Sequence, residues 1–306
     1  MNRRDFLRYH LQGAFALAAG STGLLLPKES MAVGEPDIVV VEGAPGAATR
    51  AALNLLGGMG QFVKPGDRVL IKPNMSFSHP PESATNTHPE VVRELAVMCK
   101  EAGAAKVLIL DNPLASAKRC LERSGIYDTC NPIDDCTVAM ITSSKHFKRV
   151  DIPKATDMTS NEVMKEVLKS DVLIAAPVAK SHAAAGVSLS MKGMMGLIRK
   201  RRAMHWRYDL DTSIVDLCTL LKADLAVIDA SRVLSTNGPG GPGKVLHEKK
   251  IIVSKDMVAA DACAVSMFEW YGRRFKPRQV GHILEAHKRG LGRMDVENLT
   301  IKTMTL

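Results

Sequence analysis

From residue 37 onward the chain alternates short β-branched runs with longer stretches that carry the 3.6-residue spacing of a helix. Strands are predicted at 38–41, 68–72, 106–110, 137–142, 172–177, 225–229 and 250–254, with helical patterns at 46–58, 88–102, 115–124, 160–169, 212–222, 256–271 and 279–289. Strands separated by helices need crossover connections, so the pattern predicts an α/β fold: a mostly parallel sheet with helices on both faces, as one domain or two tightly packed lobes. A chain of 306 residues with 46% hydrophobic side chains can bury such a sheet, which excludes disorder, collagen and a small disulfide scaffold. One helix start is legible in detail: Thr87-His88-Pro89-Glu90 reads as a capping box with proline in the first turn. There is no repeat, low-complexity tract or Pro/Ser-rich linker. The longest irregular stretches, 73–87, 178–212 and 231–249, are where function is expected.

The N-terminus reads as an address. Asn2-Arg3-Arg4-Asp5-Phe6-Leu7-Arg8 resembles a twin-arginine export signal, residues 10–26 carry no Lys, Arg, Asp or Glu, and Ser30-Met31-Ala32 offers a small-x-Ala cleavage site. The expected division is a signal peptide at 1–32 and an α/β domain at 33–306, with the twin-arginine machinery as export partner and a periplasmic or otherwise exported destination. No other segment has the eighteen or so apolar residues of a membrane span, so no stable span is expected after cleavage. Proteins on this route cross the membrane folded, often with a cofactor inserted, which keeps a divalent metal or redox centre in view.

The formal charge is +9 and the pI about 9.3, a balance that favours anionic partners. Nucleic acid is not expected, because only 4% of residues are aromatic and stacking platforms are few.

In open parallel sheets ligands bind beyond the carboxyl ends of the strands, and here those ends are polar. One predicted strand runs into Lys72-Pro73-Asn74, another into Asp111-Asn112, a third through Pro177 to Lys180-Ser181-His182, and a fourth ends in Asp229. Residues two apart on an extended chain point the same way, so Lys72 pairs with Asn74, and Lys180 with His182, toward a shared ligand. Lysines suit phosphate or carboxylate oxygens; Asp111, Asp229 and a neutral His suit a divalent metal or acid–base work. Lys192-Gly193 places a cation beside a small residue at a helix start, and Arg199-Lys200-Arg201-Arg202 follows as a solvated basic face or a grip on a charged substrate.

Other signatures fail on mechanism. Gly238-Pro239-Gly240-Gly241-Pro242-Gly243-Lys244-Val245 imitates a phosphate-binding loop, yet Val245 stands where a hydroxyl must hold magnesium. The six cysteines contain no C-x-x-C pair, and Cys99, Cys218 and Cys263 sit among apolar helix residues. Cys120, Cys130 and Cys136 form the one cluster that offers an alternative iron site, with an iron–sulfur cluster the least favoured cofactor.

Taken in order, Ile71-Lys72-Pro73-Asn74, Ala84-Thr85-Asn86-Thr87-His88-Pro89-Glu90, Ala102-Gly103-Ala104, Pro177 to His182, Lys192 with Gly196, Asp229, Gly238-Pro239 and Asp256-Met257-Val258-Ala259-Ala260-Asp261 resemble the family called domain of unknown function 362. The resemblance spans nearly the whole chain after the signal. It implies an α/β fold without a settled activity; relatives with added four-cysteine modules lend the family its iron–sulfur label, and this chain has no such module. Residues and resemblance together give an anionic, oxygen-rich small molecule bound by Lys72, Asn74, Lys192, Gly193 and Gly238, protons moved by His88, His182 or Lys180, and a metal held by Asp111, Asp229, Asp256 or Asp261. The alternatives are a redox protein built on the three cysteines and a non-catalytic periplasmic binding protein using the same lysines.

Overall fold

The computed structural model describes residues 35–306; the signal peptide expected at 1–32 lies outside the described residues. In chain order the elements are β1 (Ile38–Glu42), α1 (Pro45–Leu55), β2 (Arg68–Pro73), α2 (Pro89–Glu101), β3 (Lys106–Asp111), α3 (Ala117–Ser124), α4 (Ile126–Cys130) and β4 (Cys136–Met140). Next come β5 (Phe147–Asp151), β6 (Ser160–Met164), β7 (Val172–Ala176), β8 (Val178–His182), β9 (Gly186–Ser188), α5 (Ser190–Gly193) and α6 (Leu210–Leu220). The chain ends with β10 (Leu225–Leu234), β11 (Val245–Leu246), β12 (Lys250–Ser254), α7 (Met257–Met267), β13 (Glu269–Trp270), β14 (Arg273–Arg274), α8 (Gly281–Lys288) and β15 (Ile301–Thr305).

The main sheet has the order β15-β1-β12-β10-β7-β2-β3-β4. Every neighbouring pair along it is parallel except those made by β12, which runs antiparallel to β1 and β10. Because side chains alternate along a strand, near-continuous apolar runs feed two cores at once. Val39, Val41, Val69, Ile71, Val107 and Ile109 face one core with Leu53 of α1, Val92 and Leu95 of α2 and Ile126 of α4. Ile38, Val40, Leu70, Leu108 and Leu110 face the other, with Ile214 of α6, Val258 of α7 and Ile283 of α8. A mixed α/β fold with helices on both faces of a mostly parallel sheet is therefore what the chain adopts. Among the described residues no helix is long and apolar enough to cross a membrane.

Three local expectations are corrected. The 160–169 stretch is not a helix: Ser160–Met164 is a strand paired antiparallel with Phe147–Asp151, burying Asn161 and Val163 on alternate positions. The period of two decides there. The stretch after Pro177 continues as strand β8, which pairs parallel with the far half of β10, itself twice the expected length. The cap of α2 is His88, whose Nδ1 accepts from the Glu90 N–H at 3.2 Å, while Thr87 Oγ1 is taken by Asn74 N–H and by the Ala176 carbonyl.

Candidate functional site

The carboxyl ends of β2 and β3 lie side by side, and β8 begins just past the end of β7, so the polar tails of these strands meet. Two further segments close over them: the turn from α5 through Leu197, and the basic run that follows. Lys72, Asn74, Asp111, Lys180, His182, Lys192 and Gly193 line one chamber of about 110 Å³, with Ser76, Phe77, Gly196, Arg201, Arg202, His205 and Pro239 completing its walls. The alternation expected for Lys180 and His182 holds, since β8 is extended and both side chains reach this space.

The chamber is rich in buried cations. Lys72 and Lys180 are 2% exposed and Lys192 is 7% exposed, while Asp111 is the chamber's single carboxylate. Lys72 Nζ lies 3.1 Å from Asp111 Oδ1. That contact is an ion pair, and among the described residues Oδ1 has no hydrogen-bond partner, whereas Oδ2 accepts from Met75 N–H at 3.0 Å and Ser76 Oγ at 2.8 Å. Gly196 makes this packing feasible: a Cβ there would sit 2.2 Å from Asp111 Oδ1 and 2.3 Å from Lys72 Cε. Lys180 Nζ donates to the Thr85 carbonyl at 2.6 Å and lies 4.9 Å from the centre of the Phe77 ring. Among the described residues Lys192 Nζ has only a thioether partner, Met195 Sδ at 3.1 Å.

Burial dominates the titration of these groups. It pushes Lys180 down to about 7, with the Asp111 carboxylate opposing and Lys72 and Lys192 adding to the fall. Lys192 falls to about 8 through burial and then the nearby Arg201. Lys72 is lowered by burial against the pull of Asp111. His182 falls to about 3, mainly by burial and then by Lys192 and His205. Geometry fixes its tautomer as well: Nδ1 accepts from the N–H groups of Ala184 and Ala185, both at 3.2 Å. The neutral ring therefore carries its proton on Nε2 and is a donor. Its ring stacks on His205 at 5.8 Å. Asn74 Oδ1 is taken by Val178 N–H at 3.1 Å, which leaves the amide NH₂ for a ligand.

Other expected site residues are placed elsewhere. His88 is not a wall of the chamber; its Nδ1 is spent on the helix cap and its N–H donates to Asp229 Oδ2 at 2.7 Å. Asp229 is an ion-pair anchor, 2.9 Å from the Arg232 guanidinium and also accepting from Ser231. Asp256 caps α7 through Val258 N–H at 2.8 Å and accepts from Arg293 N–H at 2.7 Å. Asp261 accepts the N–H groups of Ser190 and Met191 at 2.8 and 3.0 Å, fixing the start of α5. These carboxylates are occupied by the fold and do not converge with Asp111; among the described residues no three His, Cys, Asp or Glu side chains are grouped to hold a metal. Gly238 holds its loop on β8 by donating its N–H to Ser181 Oγ at 2.9 Å, leaving the chamber wall to Pro239.

The three cysteines of the alternative iron site likewise form no grouped ligand set among the described residues. Cys120, Cys130 and Cys136 are free thiols, the first two buried. Burial pushes Cys136 up to about 11 and raises Cys120 and Cys130. Cys130 and Cys136 pack into a sheet core with Cys99 instead of facing a cavity with Cys120.

Several chamber residues had no sequence signal. Ser76 and Phe77 sit in a loop and His205 ends a short 3-10 turn, all without a motif, although Ser76 and Phe77 follow closely on the Lys72-Pro73-Asn74 stretch. Arg201 and Arg202 belonged to a basic run whose solvated reading was the default. Arg201 turns inward, its guanidinium donating to the carbonyls of Asn112 and Pro113 at 2.5 and 2.6 Å.

The family described as domain of unknown function (DUF362) matches residues 69–266. A thylakoid-associated protein of Synechocystis sp. is 30% identical over 230 residues, which is 70% of this chain and 67% of that protein. Among solved structures, the lactate racemase apoprotein from Thermoanaerobacterium thermosaccharolyticum aligns with a TM-score of 0.47 and 14% identity over 74% of this chain. A protein from Thermotoga maritima aligns with a TM-score of 0.39 and 12% identity over 73%. This chain spans 57% and 59% of the lengths of those two structures.

Proposed function

On the premise that the chain belongs to the DUF362 family, we propose that its strand-end chamber binds a small anionic, oxygen-rich molecule and moves a proton on it. Lys72, Lys192 and Arg201 meet the negative charge, Asn74 orients the ligand with its amide, Lys180 accepts a proton in its neutral form, and His182 donates a hydrogen bond from Nε2 to a ligand oxygen.

One observation carries the reading. Lys192 is buried with no carboxylate or oxygen acceptor among the described residues, its ammonium resting on the Met195 thioether beside Arg201 and two more lysines. A buried charge without a partner is expensive, and an anion in the chamber supplies the partner. The titrations of Lys180 and His182 are set far apart, which is the pattern of an acid–base pair with distinct duties. Export of the domain through the twin-arginine route belongs to the same proposal and is supported by Arg3-Arg4 and the uncharged stretch after it.

Calorimetry with oxalate and with inorganic phosphate tests the site. Wild-type protein is expected to bind at least one of them and Lys192→Met to lose that binding. Equal binding by Lys192→Met and Lys180→Met proteins that melt cooperatively would place the anion elsewhere and end the proposal.

A further inference from the structure

We propose that Lys180 is a nucleophile whose amine condenses with the carbonyl carbon of a small 2-oxo acid, the acid's carboxylate lying against Lys72 and Lys192. This deepens the anion reading and rests on it.

The three lysines differ in what holds them. Lys72 sits against the Asp111 carboxylate, which opposes the lowering by burial, and Lys192 stands beside Arg201. Among the described residues Lys180 has no carboxylate within ion-pair distance and a single hydrogen bond, a donation to the Thr85 carbonyl, a partner that a neutral amine satisfies with one N–H while keeping its lone pair. Phe77 covers it from one side, and burial, then Lys72 and Lys192, disfavour its protonated form against the opposing pull of Asp111. A lysine surrounded by apolar surface and other cations is the activated amine of imine-forming chemistry.

The rest of the chamber fits a carbonyl beside a carboxylate. His182, two residues along the same strand face, brings an Nε2–H donor that polarises a carbonyl oxygen without giving up its proton. About 110 Å³ is room for a few heavy atoms, which suits the smallest oxo acids. In the step itself the Lys180 lone pair forms the C–N bond and the carbonyl electron pair moves to oxygen. That oxygen takes one amine proton, then leaves with a second as water, and the C=N bond remains. One water is lost and nothing is oxidised or reduced.

The test uses the full chain after export, with glyoxylate as the probe and cyanoborohydride to convert any imine to a stable secondary amine, followed by peptide mapping by mass spectrometry. The label is expected to concentrate on Lys180, to fall to background when excess oxalate fills the chamber, and to be absent from Lys180→Arg. Wild-type mapping stands even if that variant fails to fold. Labelling scattered over surface lysines, or centred on Lys192 or Lys72, or unaffected by oxalate while calorimetry shows oxalate bound, would overturn the nucleophile and leave the anion site standing. Failure of oxalate and phosphate to bind at all removes both.

Discussion

Replacing Lys192 by Met keeps the length and apolar stem of the side chain and removes only the ammonium. The folded protein holds this lysine at about 8 against 10.5 when unfolded. Two and a half pK units at about 1.4 kcal/mol each put the burden of the buried charge at roughly 3 kcal/mol. The unfolded chain binds the proton more tightly, so the burden is fully present below about 8 and disappears as pH climbs to 10.5. The variant is therefore expected to be more stable than wild type at about pH 7, by a melting shift of several degrees for a domain of this size, with the advantage shrinking as the buffer becomes alkaline. Oxalate reverses the ranking once it reaches about one thousand times its Kd, where it adds roughly 4.1 kcal/mol to the wild type alone. Urea or thermal unfolding at two pH values, with and without oxalate, reads all four quantities. A Lys192→Met protein that is natively folded yet less stable than wild type at neutral pH, or that is stabilised by oxalate just as much, would refute the argument that Lys192 is a charge waiting for an anion.

Other perturbations separate chamber from scaffold. Gly196→Ala drives a methyl into Asp111 and Lys72, so oxalate binding and thermal stability should both fall; unchanged binding by calorimetry would mean that the Lys72–Asp111 contact is not part of the site. Anion affinity should weaken as pH rises through about 7 and 8, where Lys180 and Lys192 lose their protons, and a flat profile from titration calorimetry would count against both residues. Asp256→Ala removes the α7 cap and is expected to lower stability by about 1 kcal/mol in urea without touching oxalate binding. Cys136→Ser should leave anion binding as it was, and its loss would return the cysteines to the site.

The sheet was readable because its strands are apolar runs of even length ending in Lys, Asp or Asn, and a parallel strand buried on both faces can hardly be written otherwise. Lys72, Asn74, Asp111, Lys180 and His182 were legible for the same reason: strand ends are fixed by topology, and the topology puts them at one edge. His88, Asp229, Asp256 and Asp261 share that placement along the chain and fail for a physical reason the sequence hides. Asp256 is claimed by the N–H groups of its own helix start and Asp261, inside α7, by the distant N–H groups of Ser190 and Met191, and a pattern of letters does not distinguish an occupied carboxylate from a free one. Arg201, His205 and Phe77 were illegible because long connections decide their own path, and which member of a basic run turns inward depends on carbonyls such as those of Asn112 and Pro113.

That contrast separates scaffold from site more sharply than position does. The aspartates that belong to the scaffold have their oxygens filled by the fold: Asp229 by Arg232, Ser231 and the His88 amide, and Asp261 by the α5 start. In the chamber the opposite holds, with Asp111 Oδ1 lacking a hydrogen bond, Lys192 resting on sulfur, and Lys180 satisfied by one backbone carbonyl. Lys180 and Lys192 together weaken the ligand-free fold by several kcal/mol at neutral pH, a large fraction of the 5–15 kcal/mol that a domain commonly has. Local hydrogen bonding accounts for the first set and not for the second. Buried ammonium groups short of oxygen acceptors, gathered in one chamber at the edge where parallel sheets bind ligands, are accounted for once an oxygen-rich anion is counted as part of the folded protein.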